Sequence, residues 1–161
     1  MLRIGLGHDT HRLVNGSFIL LGGVRIEHTK SLLGHSDADV LLHAITDALL
    51  GAAGLGDIGD LFPDTDPANR NRDSGEMLQA AWNQVQQHHW QIVNLDTVVF
   101  AEKPKITPHK EAIRKRIAEL LEIDISQVGL KAKTGEKIGI IGQEEAITAE
   151  CVMLLTTEPQ L

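Results

Sequence analysis

The run HSDADVLLHAITDALLGAAG, from His35 to Gly54, constrains the chain more than any other stretch. Its apolar residues recur at helical spacing, with Val40, Leu41, Ala44, Leu49 and Ala52 on the apolar side. Ser36 or Asp37 is placed to cap its start, and Gly54 to end it. Asp39, His43 and Asp47 stand four residues apart and therefore share one helical face, while their neighbours on the other faces are apolar. A helix of this composition needs a sheet or other helices against it. Its short polar stripe then faces either solvent or a site.

The remainder of the chain supplies that sheet. Leu2 to Leu6 begins a strand, and Ser17 to His28 reads as two apolar runs around Gly22-Gly23, a hairpin pattern. LGDIGDLFPDTDPANRN, rich in Gly, Asp and Pro, is an acidic loop. Ser74 to His89 carries Met77, Leu78, Ala81 and Val85 at helical spacing. Trp90 to Glu102 contains the β-branched run IVNLDTVVF. Thr107-Pro108 suits an N-cap and first helical residue, and that helix runs to about Glu122. Val128 to Lys133 and Ala146 to Thr156 are the last strands. Strands and helices alternate, so residues 1–161 are expected to form one α/β two-layer domain, with a mixed four-stranded sheet and helices on one face. The bare opposite face favours a homo-oligomer packed sheet to sheet around an axis.

The formal charge is −7 over 161 residues, with two Trp, three Phe and no Tyr. Nucleic-acid surfaces need basic stripes and stacking platforms, so no nucleic-acid partner is expected. An anionic ligand must instead be met by a local device: a metal ion, a helix N-terminus or a few placed lysines. The single cysteine, Cys151, excludes an internal disulfide and is most simply a buried small hydrophobe. No segment reads as a signal peptide or reaches the length of a membrane span, so no membrane partner is expected and a cytoplasmic location is the default.

Several residues could carry chemistry. If GHDTHRL is extended, Asp9 and His11 point to the same face. With His43 from the helix they make a three-ligand set of the kind a catalytic zinc site uses, leaving one position open. The alternative is a solvated helix histidine beside a carboxylate at a strand end, since eight histidines give many chance pairings. Asp47 could take the second N–H of His43, or belong to a solvated acidic stripe. His35-Ser36, where the helix is expected to start, could hold a phosphate or simply cap. KAKTGEK, Lys131 to Lys137, joins cations and a hydroxyl to one carboxylate for a hard cation such as Mg²⁺, or is a solvated turn. EKPKIT, Glu102 to Thr107, could read a base edge with its backbone and a phosphate with Lys105. His88-His89 suit a helix end, and His28 and His109 read as surface residues.

Taken together, RIGLGHDTH, LLGGVRI, LLGHSDADVLLHAITDALLGAAGLGDIGDLFPDTDP, PKITPH and KAKTGEKIG resemble the 2-C-methyl-D-erythritol 2,4-cyclodiphosphate synthases of non-mevalonate isoprenoid biosynthesis. The resemblance spans nearly the whole chain. It implies a homotrimer with active sites between subunits, and cyclisation of 4-diphosphocytidyl-2-C-methyl-D-erythritol 2-phosphate with release of CMP. It implies Zn²⁺ on Asp9, His11 and His43, and Mg²⁺ or Mn²⁺ near Glu136. His35 and Thr134 would stabilise transition-state charge. Thr10 and Ser36 would join the substrate site, and Asp57, Ile58, Gly59, Phe62, Pro63, Asp64, Thr65 and Asp66 would hold the methylerythritol. Ala101, Glu102, Lys103, Pro104, Lys105, Ile106 and Thr107, with Lys133, Thr134, Gly135 and Glu136, would hold cytidine and phosphates from a neighbouring subunit. Ile140 and Gln143 would line a central channel, but stand where the family often has an aromatic residue and an arginine. Lys133 and Gly135 replace threonines of the family pattern, and His8 replaces an apolar residue. Two other readings of the same ligands are a metal-dependent phosphohydrolase and a non-catalytic zinc-stabilised nucleotide-binding trimer.

Overall fold

The computed structural model describes residues 1–157; residues 158–161 of the expected domain lie outside the described part. The element order is β1 (Leu2–Asn15), β2 (Phe18–Leu21), β3 (Val24–Glu27), β4 (Lys30–Leu33), α1 (Val40–Ala53), α2 (Ile58–Leu61), α3 (Ser74–Gln87), β5 (Gln91–Phe100), α4 (Lys110–Leu121), β6 (Val128–Lys133), α5 (Gly139–Gly142) and β7 (Ala146–Thr156). Short 3₁₀ turns stand at Pro67–Asn69, Thr107–His109 and Ile125–Gln127.

The sheet has five strands, not four, in the order β4-β1-β7-β5-β6. It is mixed: β5 and β6 run parallel, and the other pairings are antiparallel. The extra strand is β4, paired to the far end of β1 through Arg12↔Leu33 to Asn15↔Lys30. Its sequence, KSLL, has neither the length nor the alternation that marks a strand; it forms because β1 offers it an edge. β2 and β3 make the expected hairpin, separate from the sheet. Gly22 and Gly23 both have positive φ, +60° and +73°, as a tight two-residue turn with right-handed strands requires.

Helix α1 is capped by Asp39, not by Ser36 or Asp37. Ala38, held at φ +59°, turns the chain so that Asp39 becomes the N-cap and accepts from Leu42 N. The same fully buried carboxylate accepts Gly22 N at 2.9 Å and Gly23 N at 2.7 Å, tying the hairpin tip to the helix start. Burial pushes this carboxyl up, and its three backbone donors pull it down. Gly54 ends α1 in the left-handed conformation, as expected. Thr107 opens a 3₁₀ turn, and the α4 helix itself begins at Lys110.

One apolar cluster joins α1, α3 and α4 to the inner face of the sheet. α1 lies flush on β1. A Cβ on Gly5 would fall 1.9 Å from the Ala48 carbonyl oxygen, and one on Gly7 1.8 Å from that of Ala44. The outer face of β1 is left in solvent, with Ile4 73% and Leu6 69% exposed beside Val152 of β7 at 48%. Cys151 is buried, as expected. Among the described residues, no helix is long and apolar enough to cross a membrane.

The close approach generates a paired prediction. Gly7→Ala is expected to lower stability in urea unfolding by about 3 kcal/mol, because backbone and not a flexible side chain must yield. Gly51→Ala, with nothing within 4 Å of the added carbon, is expected to raise it by about 1 kcal/mol through helix propensity. An unchanged Gly7→Ala protein would contradict the packing described.

Candidate metal centre and its cavity

The site forms where β1 leaves its glycines. Residues 5, 7, 9 and 11 face α1, so after Gly5 and Gly7 the strand presents Asp9 and His11 to the N-terminal half of the helix. Asp9 Oδ2 lies 3.0 Å from His11 Nε2 and 3.0 Å from His43 Nδ1, and the two nitrogens are 3.1 Å apart. Ligand atoms about 2.0–2.1 Å from a tetrahedral metal stand about 3.3 Å from one another. The triangle therefore fits a metal ion bound by one carboxylate and two imidazoles. Among the described residues no other group of three His, Cys, Asp or Glu side chains comes so close together.

The second nitrogen of each imidazole is also engaged. His11 Nδ1 lies 2.8 Å from the Leu33 carbonyl oxygen at the end of β4, so it is the donor there and Nε2 keeps its lone pair. His43 Nε2 lies 2.8 Å from Ser74 Oγ and 3.0 Å from Ser36 Oγ. Asp47 is not its partner; that carboxylate accepts Ile58 N at 2.8 Å and anchors α2. One helical turn separates Asp47 from His43, but the acidic loop folds back and takes the carboxylate first. Burial works against ionised Asp9, but its hydrogen bonds to His11 and His43 prevail and hold it well below the usual carboxylate range. Burial likewise opposes charge on His11, yet Asp9 and the Leu33 carbonyl raise it above its ordinary value.

The triangle opens onto a cavity of about 280 Å³. His35, Ser36, Ile58, Gly59, Phe62 and Asp64 line it, together with Asp47, expected instead as a partner of His43, Met77, expected only as a core residue, and Asn69, which the sequence did not single out. Asn69 is buried and donates to the Pro63 carbonyl at 2.9 Å, and Arg72 stacks over Phe62 while donating to Asn69 Oδ1. No spacing rule reaches these loop contacts.

The other sequence-expected positions stand elsewhere. Thr10 projects to the outer face of the sheet, 2.9 Å from Thr148 Oγ1, because side chains alternate. His35 and Ser36 precede the α1 N-terminus by several residues, so they do not sit on its free N–H groups. Asp57 caps α2, and Asp66 caps the turn at Pro67. Pro63 and Thr65 are exposed. The segments 101–107 and 133–136 follow the parallel strands β5 and β6 and are joined to each other: Ala101 N donates to the Lys133 carbonyl, and Gly135 N to Glu102. They emerge at the same end of the sheet as His11, since Thr148 pairs with both Thr10 and Phe100, but they do not line the cavity within one chain. Glu136 is an exposed single carboxylate bonded by Thr134. Ile140 is half exposed on α5, and Gln143 donates to the Lys137 carbonyl at 2.7 Å.

An α/β unit with two histidines and a carboxylate converging beside an open, acid-rimmed cavity is the framework of a metal-dependent enzyme. The chain belongs to the YgbB family, whose model matches residues 2–156. A curated relative from Shouchella clausii, named 2-C-methyl-D-erythritol 2,4-cyclodiphosphate synthase, is 55% identical over 155 residues, covering 96% of this chain and 98% of the relative. The structure of the bifunctional IspDF from Campylobacter jejuni superposes with a TM-score of 0.93 at 41% identity; the match covers 96% of this chain but 42% of that one. The IspF of Plasmodium falciparum in its CDP complex superposes at 0.86 with 37% identity, covering 98% and 97% of the two chains.

Protons compete with a metal for these ligands, and the raised His11 value moves that competition to higher pH than an ordinary histidine would give. Metal affinity is expected to fall steadily as pH is lowered through neutrality, with proton release on binding measurable by calorimetry in buffers of different ionisation heat. An affinity that stays flat from pH 8 to pH 6 would contradict this.

Proposed function

We infer that the chain acts as a 2-C-methyl-D-erythritol 2,4-cyclodiphosphate synthase in isoprenoid biosynthesis, converting 4-diphosphocytidyl-2-C-methyl-D-erythritol 2-phosphate to the cyclic diphosphate and CMP. Membership of the YgbB family supports the activity, and the Asp9–His11–His43 triangle at the cavity mouth is the observation that carries the mechanism.

The reaction forms one P–O bond and breaks another. An oxygen of the 2-phosphate attacks the β-phosphorus, and CMP leaves with the bridging oxygen. No protein nucleophile and no water take part, so the protein's work is alignment and charge neutralisation. Asp9, His11 and His43 would hold Zn²⁺, which supplies positive charge to a phosphate oxygen when bound. His35 and Ser36, at the cavity edge, are assigned to the phosphates. Asp64 faces the cavity and is assigned to the methylerythritol hydroxyls, with Ile58, Gly59 and Phe62 forming the wall; Asp57, Pro63, Thr65 and Asp66 shape that loop. Glu136 would hold the second divalent ion, Mg²⁺ or Mn²⁺, whose charge would offset that of the phosphates. Thr134 beside it would meet the charge of the transition state.

The assignment needs more than one subunit. Segments 101–107 and 133–136 stand apart from the cavity of their own chain, and the outer sheet face bearing Ile4, Leu6 and Val152 is apolar and exposed. We therefore propose a homotrimer packed through its sheets, with the cytidine-binding segments completing a neighbour's cavity. Ile140 and Gln143 would fall in its central channel. Gln143 lacks the bidentate cationic fork that holds a diphosphate, so no isoprenoid diphosphate is assigned there.

Single-turnover analysis of products tests the activity: cyclic diphosphate plus CMP is expected, and an open-chain product would point to a phosphohydrolase. His43→Ala is expected to lose zinc and activity while retaining its circular dichroism spectrum and trimer mass; full activity without zinc would refute the metal assignment. Glu136→Gln is expected to raise the Mg²⁺ concentration needed for half-maximal rate at least tenfold, with cytidine nucleotide affinity changed less than threefold. Equal losses in both would remove Glu136 from that role.

A further inference from the structure

The proposed zinc site requires His43 to present Nδ1 with a free lone pair, and a histidine on its own does not choose. In neutral imidazole either nitrogen can carry the proton, and the partner of the other nitrogen decides. On His43 that partner is Ser74 Oγ, 2.8 Å from Nε2, with Ser74 fully buried at the first turn of α3. A hydroxyl is ambiguous, because it can donate to Nε2 or accept from it.

Asp37 removes the ambiguity. Its Oδ1 accepts the Ser74 hydroxyl proton, its Oδ2 accepts Ser74 N at 2.9 Å, and Asp39 N also points to Oδ1 at 3.2 Å. A carboxylate offers acceptors only. With its one proton committed to Asp37, Ser74 has only lone pairs to turn towards His43. Ser36 Oγ, 3.0 Å from the same nitrogen, accepts from Ala38 N at 3.3 Å and keeps a second lone pair, so it adapts to the direction that Ser74 sets. His43 Nε2 is thereby made the donor, and Nδ1 is left facing Asp9 and His11.

The left-handed turn at Ala38 makes this possible. It lets consecutive polar residues aim in different directions: Ser36 to His43, Asp37 to α3, and Asp39 to the hairpin tip and the start of α1. Losing Asp37 would free Ser74 to rotate and donate to Nε2, placing the imidazole proton on Nδ1, between the ligands.

We propose that Asp37, acting through Ser74, is a positioning residue that fixes the tautomer of His43 and so sets the affinity of the metal centre. The proposal rests on the metal reading of the Asp9–His11–His43 triangle and extends it to two residues that touch neither substrate nor metal. Outer hydrogen-bond partners of this kind are worth about 10–100-fold in metal affinity.

The test is zinc affinity of the metal-stripped protein, by competition with a chromophoric chelator, for wild type, Ser74→Ala, Asp37→Asn and the double variant. Each single variant is expected to bind zinc about 10–100-fold more weakly. In the Ser74→Ala background, Asp37→Asn is expected to add less than twofold, because its effect passes through the hydroxyl; a merely structural role of Asp37 at the α3 start would persist there. Nitrogen-15 NMR of the zinc-loaded wild type is expected to show metal on His43 Nδ1 and a slowly exchanging proton on Nε2, and this decides the point if a variant fails to fold. Single-variant affinities within twofold of wild type, additive losses, or zinc on Nε2 would each overturn the proposal. A wild type that binds no zinc would instead overturn the metal reading, and this proposal with it.

Discussion

The site depends on how closely a helix can lie on a strand. Gly5 and Gly7 remove two side chains from β1, and the small residues Ala44, Ala48 and Ala52 of α1 come down onto the bare backbone. Two strand residues advance about 6.7 Å and four helical residues about 6.0 Å, so the two repeats stay nearly in step. Going up the strand, Gly5 faces the turn from Ala48 to Ala52, Gly7 the turn from Ala44 to Ala48, and Asp9 the turn before it, which holds His43. The first pair of side chains large enough to fill the space beyond the glycines is Asp9 and His43. The packing that stabilises the core thus also sets the separation of the three candidate metal ligands.

The elements around this contact supply what it lacks. β4 brings the Leu33 carbonyl to His11, and α3 brings Ser74 to His43. The hairpin of β2 and β3 holds the start of α1 through Asp39. An acidic chain with net charge −7 repels a polyanion at long range. Its proposed way round this is local: two cations held by few carboxylates, with cavity walls that come from the acidic loop and neutralise nothing. The loop after β5 and the end of β6, at the same end of the sheet, bring Lys105 and Lys133, which in the proposed trimer would face a neighbouring subunit's cavity.

Much of this was legible in the residues. The i, i+2 spacing of Asp9 and His11 and the helical place of His43 offered a three-residue ligand set beside a solvated alternative, the family resemblance favoured the metal, and Gly22-Gly23 and Gly54 marked a turn and a helix end. What stayed hidden was long-range. KSLL becomes a strand only because the end of β1 is free to pair. Ser36, Asp37 and Asp39 are all good caps, and the choice among them is made by Ala38 turning left-handed so that Asp39 can reach the hairpin. Ser74 lies 31 residues from His43, and nothing in DSGEML marks it as a histidine's partner. Asp47 had the right spacing for that task and was drawn away by Ile58 N. Local pattern offered the candidate ligands; tertiary structure selected their supports.

The central claim is that a strand and a helix, set together by missing side chains, grip one metal ion with three named atoms. Anomalous scattering from crystals of the protein grown with zinc, recorded on either side of the zinc edge, tests it most directly. The account predicts one strong peak per chain, about 2.0–2.2 Å from Asp9 Oδ2, His11 Nε2 and His43 Nδ1. A crystal with zinc bound elsewhere and no peak between those atoms would contradict it.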